Sequence, residues 1–240
     1  MNIDIKIPYT TKPSMVKNYG PISTRITDFY YKEKLNQLDK FANDLWAISY
    51  EANQNHLIYK VSKHLGLPEK DNIVDLALCF NEDLAIMYDG ILAAICFCFP
   101  SSWIPADRIG MHLSDIHRPV ADNHNLVKYS DKLAKTMADP TLGSFKRQVW
   151  TLTTSSELSA HPKIPKPEIS SFDKLYFRME TQTTEPLGDG RTSLFFVRVE
   201  VFPLTDIWNQ YGAVIKDSIN SMSNAILDYK NLQEIKALIV

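Results

Sequence analysis

Three short apolar runs, separated by only two or three polar residues, constrain the fold of this chain more than any other feature. They cover residues 73–80, 84–88 and 91–99, and the letters NED and DG stand between them. A DG pair between apolar runs is a strong signal for a two-residue hairpin turn. The pattern therefore predicts a meander of antiparallel strands.

The remaining segments predict helices around further strands. Strand patterns cover residues 145–153, 175–183 and 192–202, and helical patterns cover residues 31–65, 105–114, 123–137 and 207–240. The first 30 residues are polar and irregular, so we expect an arm (1–30) laid over a single domain (31–240). Hairpins join most neighbouring strands, which predicts an α+β fold: an antiparallel sheet with N-terminal and C-terminal helical additions.

Composition argues against several classes of function. The 26 Lys and Arg residues nearly balance the 28 Asp and Glu residues, so we expect no nucleic-acid partner. With only 8 glycines and no GxGxxG or P-loop pattern, no flavin or nicotinamide site is expected. The longest apolar run, residues 91–99, is about half of what a transmembrane helix needs. The three cysteines lie in apolar runs, which indicates reduced thiols in a cytoplasmic protein with no membrane contact.

Two histidines lie close together in the segment 98–120. His117 ends a short amphipathic stretch and is followed by Arg118-Pro119, which makes this a rigid place for an imidazole. His112 is expected to cap a helix or to face water.

Two strands carry further polar candidates. Arg147 and Trp150 share a strand, where an arginine beside aromatic residues can bind a carboxylate through two hydrogen bonds, although a surface arginine is the simpler alternative. Arg178, Glu180 and Gln182 alternate on one face of the next strand. They form either the solvated side of a sheet or a polar wall inside a pocket, and the paired strand is expected to add Arg198 and Glu200 to it.

These segments, in this order, resemble the haem-dependent oxidative N-demethylase family. Residues 99–120 match its Pro-Ser-x-Trp, Ile-Gly and Ile-His-x-Pro-Val motifs, and residues 147–162 match an Arg-x-x-Trp strand followed by Leu and Pro. Residues 177–204 match its Arg-x-Glu-x-Gln-Thr strand and a returning strand with Arg and Pro-Leu. The resemblance covers nearly all of residues 30–230. The chain departs from the family pattern at Ala121-Asp122-Asn123 and at Thr184-Glu185-Pro186.

The resemblance implies a PAS-like antiparallel sheet that holds haem b. It implies oxidation of a small secondary amine to a primary amine and formaldehyde with dioxygen, and electrons from a separate flavin and iron–sulfur reductase subunit. The alternatives are a non-catalytic PAS-like module that senses haem or a small molecule, and a structural protein that interacts through its C-terminal helix.

The resemblance also suggests roles for the candidate residues. His117 is the candidate axial ligand of the haem iron, since a neutral imidazole is a common haem ligand. The strand arginines, which are Arg147, Arg178 and Arg198, are candidates for the haem propionates, with Trp150 beside them. Glu180 is the candidate partner of the substrate ammonium and a candidate proton donor to bound dioxygen. Alternatively, Glu180 pairs with Arg178 or Arg198 across the sheet.

Overall fold

The computed structural model describes residues 3–239, so the first two residues of the predicted arm and the last residue of the predicted domain lie outside it. Residues 3–239 form seven strands, which are β1 Val16–Lys17, β2 Trp46–Ile48, β3 Asp83–Tyr88, β4 Ile91–Cys96, β5 Phe145–Thr153, β6 Tyr176–Pro186 and β7 Thr192–Pro203. The same residues form ten α-helices, which are α1 Asp28–Leu45, α2 Tyr50–Gln54, α3 Leu57–His64, α4 Ile73–Ala77, α5 Leu113–His117, α6 His124–Lys128, α7 Ser130–Ala138, α8 Leu204–Asn220, α9 Asn224–Tyr229 and α10 Gln233–Ile239.

All seven strands form one antiparallel sheet in the order β1-β5-β6-β7-β3-β4-β2. The long hairpin of β6 and β7 is its centre, and the short strands β1 and β2 are its edges. The predicted α+β fold with an antiparallel sheet and helices at both ends is confirmed.

The hairpin between β3 and β4 follows directly from its DG turn. Asp89 and Gly90 have φ values of 50° and 78°, the left-handed conformation that a type I′ turn requires at both positions. Asp89 also accepts hydrogen bonds from the guanidinium of Arg191, which lies in the neighbouring turn between β6 and β7. The predicted turn is therefore confirmed.

Two predictions near the N-terminus are wrong. The first apolar run, predicted as a strand over residues 73–80, forms the helix α4, which Asn72 caps by accepting a hydrogen bond from the N–H of Val74 at 2.8 Å. The run is short and almost entirely apolar, and periodicity alone does not separate a buried strand from a buried helix. The predicted helix over residues 31–65 is interrupted by β2, which pairs with β4 and is followed by the helix cap Ser49.

Three predicted helices divide into shorter ones. The segment 105–114 forms a 3₁₀ turn at Ala106–Arg108 and the start of α5, and the segment 123–137 forms α6 and α7. The C-terminal segment forms α8, α9 and α10, and the side chain of Ser223 caps α9. Among these shorter helices, α5 and α9 begin at a side-chain cap, whereas α6, α7 and α8 have none.

Two hydrophobic cores lie against the sheet. The first packs β3, β4 and β7 against α2, α3 and α4, with Leu84, Ile86 and Phe196 fully buried. The second packs β5 and β6 against the C-terminal helices, and here Trp150 stacks on Phe177 at 5.4 Å between ring centroids. In the described part of the chain, no helix is both long and apolar enough to cross a bilayer.

Candidate functional site

The polar face of β6 is aligned with β5 by the strand register. Gln182 lies opposite Arg147, Glu180 opposite Val149, and Arg178 opposite Thr151. Directly opposed residues of antiparallel strands project from the same face. Arg147, Gln182, Glu180 and Arg178 therefore form one continuous group, which we call the polar row.

Hydrogen bonds link Arg147, Gln182 and Glu180 in the polar row, and an ion pair adds Arg178. Arg147 donates from Nε to Oε1 of Gln182 at 2.7 Å, and Gln182 donates from Nε2 to Oε2 of Glu180 at 2.9 Å. The hydroxyl of Ser101 donates to Oε1 of Glu180, and Nη1 of Arg178 lies 3.8 Å from the same oxygen. Glu180 thus has partners on both carboxylate oxygens.

Arg178 is the most deeply buried member of the polar row. Only 4% of the residue is exposed, and its Nη2 donates to the carbonyl of Phe99 at 2.9 Å. Its Nε and Nη1 are buried without a hydrogen-bond partner among residues 3–239. Burial lowers the pKa of this guanidinium, and the neighbouring Glu180 acts in the opposite direction. Two buried N–H donors without acceptors are costly, so Arg178 is suited to an additional polar or anionic group.

A buried ion pair holds the backbone that contacts Arg178. Asp83 accepts from the N–H groups of Cys98 and Phe99 at 3.0 and 2.8 Å, and its carboxylate lies 3.7 Å from Nζ of Lys34. Burial raises the pKa of Asp83 to about 6, although Lys34 and the two N–H donors lower it. Because the carbonyl of Phe99 receives the Arg178 bond, this pair fixes one wall of the site.

His117 lies at the end of α5, as its sequence position predicts. Its Nδ1 lies 2.8 Å from the carbonyl of Leu113, which can only accept, so Nδ1 carries the proton. Its Nε2 has no hydrogen-bond partner among the described residues. Burial lowers the pKa of His117 to about 4, and Arg147 lowers it further while the Leu113 bond raises it. The imidazole is therefore neutral at pH 7, with a lone pair on Nε2.

The other histidine of this segment is different. His112 caps α5 by accepting a hydrogen bond from the N–H of Ser114, and its Nε2 lies 3.3 Å from a carboxylate oxygen of Asp131. Both of its ring nitrogens are thus engaged, and the expected capping role is confirmed.

Three half-buried side chains lie in or beside the polar row, and they are His117, Arg147 and Lys230. Burial is the main cause that lowers the pKa of each, in the case of Lys230 to about 8. We call the surface that these three side chains and Glu180 border the recess. Two surface cavities of about 450 and 480 Å³ are found elsewhere, and neither is lined by His117 or Glu180.

Two candidate residues lie away from the polar row. Trp150 is 5% exposed and belongs to the second core, on the opposite face of β5 from Arg147. Arg198 lies opposite Thr181, whereas Glu180 lies opposite Val199. The expectation that Arg198 and Glu200 join the polar face of β6 is therefore wrong, because the register places them one residue out of phase.

Arg198 has a complete set of partners on its own face. Its Nη1 donates to the hydroxyl of Thr24 at 2.8 Å, and its guanidinium lies 3.6 Å from Glu82 and 3.7 Å from Glu200. It also lies over the ring of Tyr30. Of the two arginines considered as partners of Glu180, only Arg178 lies on its face of the sheet, two residues away on the same strand.

Sequence reasoning missed three residues of the site. Ser101 belongs to the Pro-Ser-x-Trp motif, which gave a signal for its contact with Glu180. Asp83 stands in a turn-like NED triplet, which gave no sign of a fully buried carboxylate. Lys230 lies in the C-terminal helical region, and its Nζ donates to the carbonyl of Trp150 at 2.8 Å. No local pattern connects Lys230 with the strands that it contacts.

One family model matches the chain. It describes the haem-dependent oxidative N-demethylase, alpha subunit-like, and it covers residues 29–240. Among curated proteins, none matches. The family match extends over α1 to α10 and all strands except β1, including every residue of the polar row and His117. Since far more than half of the sequence is covered, the chain belongs to the haem-dependent oxidative N-demethylase alpha subunit-like family.

Proposed function

We propose that this chain is the haem b-binding subunit of a cytoplasmic enzyme that demethylates a small secondary amine. The reaction consumes dioxygen, two electrons and two protons, and yields the primary amine, formaldehyde and water. Family membership in an alpha subunit-like group implies further subunits. A separate flavin and iron–sulfur reductase would supply the electrons. Residues 31–240 would form the haem domain, with residues 1–30 as its arm.

The main support for the proposal is the state of the His117 imidazole. A haem ligand needs a neutral imidazole with one free nitrogen, and a hydrogen bond on the other nitrogen fixes its tautomer. His117 has this arrangement: Nδ1 is bonded to the carbonyl of Leu113, Nε2 is free, and the lowered pKa keeps the ring neutral. His112 lacks it, because both of its nitrogens are engaged.

The cationic members of the polar row fit the second need of haem. Its two propionates require positively charged partners when they are partly buried. Arg147 and Arg178 lie on the same face as Glu180, and Arg178 has two unused N–H donors. We assign the propionates to these two arginines, whereas Arg198 and Trp150 on the opposite face would act only through the sheet. When bound, haem supplies the iron at which dioxygen is reduced and the amine oxidised.

Glu180 is proposed to bind the substrate ammonium. An alkylammonium stays protonated near pH 7, and a carboxylate accepts about four hydrogen bonds. Glu180 uses one oxygen for Ser101 and the other for Gln182, and 18% of its side chain is accessible. Acceptor positions therefore remain for an N–H of the substrate. The alternative is that Glu180 serves only to neutralise Arg178.

Titration of the purified chain with haemin tests the proposal. We expect a Soret band at one haem per chain, and a shift of this band when a small secondary amine is added. A Soret band without an amine response would favour a haem-sensing module instead. The absence of a band at equimolar haemin would contradict the proposal and favour another ligand or the structural role.

The Glu180→Gln variant separates the two roles of Glu180. Because the substitution keeps the shape and removes the charge, we expect haem to remain bound and the amine response to weaken. If the amine response is intact and only stability falls, Glu180 has the structural role alone.

A further inference from the structure

The N-terminal strap, residues 3–17, lies before the family match and contacts three parts of the molecule that border the site. Its β1 pairs with the start of β5, and the carbonyl of Pro13 accepts a hydrogen bond from Arg147 at 3.4 Å. Its Tyr9 donates from the backbone N–H to the hydroxyl of Ser221 at 2.8 Å. Its Thr11 donates from the hydroxyl to the carbonyl of Asp122 at 2.8 Å.

Apolar contacts fix the strap to the second core. Ile3 is 7% exposed within that core, and Ile5 packs against it. Tyr9 meets Trp150 edge to face at 6.4 Å between ring centroids, and Nζ of Lys230 lies 5.4 Å from the centre of the Tyr9 ring. The strap is thus docked along the open edge of β5, next to the recess.

The contact between Thr11 and Asp122 leads to His117. Asp122 connects α5 to α6 with a φ of 51°, a left-handed conformation that is unfavourable for a residue with a Cβ. Its carboxylate accepts a hydrogen bond from the Ser223 hydroxyl at 2.7 Å. The next residue, Asn123, donates from Nδ2 to the carbonyls of His117 and Arg118 at 3.2 and 2.6 Å.

We propose that Thr11 is a positioning residue for His117. Thr11 holds the carbonyl of Asp122 in the left-handed turn, Asn123 then reaches back to the last turn of α5, and this fixes the direction of the imidazole. The strap is therefore an integral part of the site, although it lies outside the family match. The proposal rests on the proposed function only in taking His117 as the haem ligand.

Hydrogen exchange of the haem-free protein tests the positioning. Loss of one hydrogen bond is worth about 1 kcal/mol, which corresponds to about fivefold in a local opening equilibrium. The Thr11→Val variant should thus exchange about fivefold faster than the wild type in residues 117–128, with unchanged exchange in β6 and β7. Thr10→Val is the matched control, because the hydroxyl of Thr10 contacts only the N–H of Lys12 within the strap. Thr11→Ser keeps the hydroxyl and should restore the wild-type rate.

Two results would overturn the positioning role. One is equal exchange in the Thr11→Val and Thr10→Val variants. The other is an increase that is as large in β6 and β7 as in residues 117–128, which would make the strap a general stabiliser. Haem dissociation is the second readout, and it should be faster in Thr11→Val than in Thr10→Val. If the exchange result holds while no variant binds haem, the proposed function fails and the positioning role stands.

Discussion

Arg178 and Arg198 lie on adjacent strands of the same hairpin, but on opposite faces of the sheet, and their surroundings differ. Arg198 keeps 28% of its side chain exposed and has Thr24, Glu82 and Glu200 as partners. Arg178 keeps 4% exposed, and two of its nitrogens lack a hydrogen-bond partner among residues 3–239. Arg198 is therefore a structural residue with a full set of partners, whereas Arg178 has N–H donors that are free to bind a further group.

Alternation of polar residues alone does not distinguish a solvated sheet face from a binding site. Both strands show alternating polar residues, and in each the usual interpretation is a sheet face in water. On β7 the half-buried Arg198 and Glu200 have charged or hydrogen-bonding partners, whereas on β6 the buried Arg178 keeps two nitrogens without a hydrogen-bond partner in the described part of the chain. Function is therefore indicated by a polar group that is buried and incompletely paired.

The largest expected effect comes from replacing the two arginines in turn. Arg178→Ala should lower the free energy of unfolding by about 3 kcal/mol, because it leaves the Phe99 carbonyl and Glu180 without their buried partner. Arg198→Ala should cost about 1 kcal/mol or less, since this pair is partly solvated. Urea denaturation measures both. Equal losses would remove the contrast between the two faces.

The pH dependence of stability is the next effect. The pKa of Asp83 is raised from 3.8 to about 6, so its contribution to stability is full below pH 3.8 and is lost as the pH rises through 6. As the pH rises from 4 to 7, the free energy of unfolding of Asp83→Asn should accordingly increase by about 2 kcal/mol relative to that of the wild type. This value follows from about 1.4 kcal/mol per pKa unit. The pKa of His117 is lowered, so its contribution is lost as the pH falls from 6.5 through 4. The two groups oppose each other in this interval.

Urea denaturation at pH 4, 5.5 and 7 checks this prediction. Asp75→Asn is the matched control, because Asp75 is an exposed carboxylate in the first turn of α4. An Asp83→Asn curve parallel to those of the wild type and this control would contradict the role given to the buried carboxylate.

The smallest effect concerns the hydroxyl that contacts Glu180. Ser101→Ala should cost about 1 kcal/mol, because a hydrogen bond to a half-buried carboxylate is lost. Ser171→Ala removes the same type of bond, from a hydroxyl to the exposed carboxylate of Asp173. This substitution should lower the free energy of unfolding by only about 0.3 kcal/mol. Thermal unfolding compares the two variants. Equal decreases in the unfolding temperature would show that the bond to Glu180 is no more stabilising than one to an exposed carboxylate.

The sequence predicted the strands of the site better than the register between them. Alternation placed Arg178, Glu180 and Gln182 on one face of β6, and the structure confirms this. The pairing of β6 with β7 was wrong by one residue, because each strand alternates by itself and their relative offset depends on the turn between them. Helix α4 was missed since a short run that is almost entirely apolar has no distinctive period.

The position of His117 at a helix end was also predictable, but its hydrogen bonds were not. The bond to Leu113 follows from the turn of α5, whereas the burial that lowers the pKa of His117 comes from distant segments. Lys230 and Tyr9 reach the recess from opposite ends of the chain. Such contacts are set by tertiary packing, which leaves no local signal.

Haem binding by histidine variants tests whether His117 is the ligand of the haem iron. His117→Ala and the matched control His112→Ala would each be titrated with haemin and compared with the wild type in the Soret region. We predict that His112→Ala binds haem with the wild-type spectrum, and that His117→Ala stays folded but loses the band or retains only a weak, shifted one. A wild-type Soret spectrum and affinity in His117→Ala would contradict the assignment of His117 as the haem ligand.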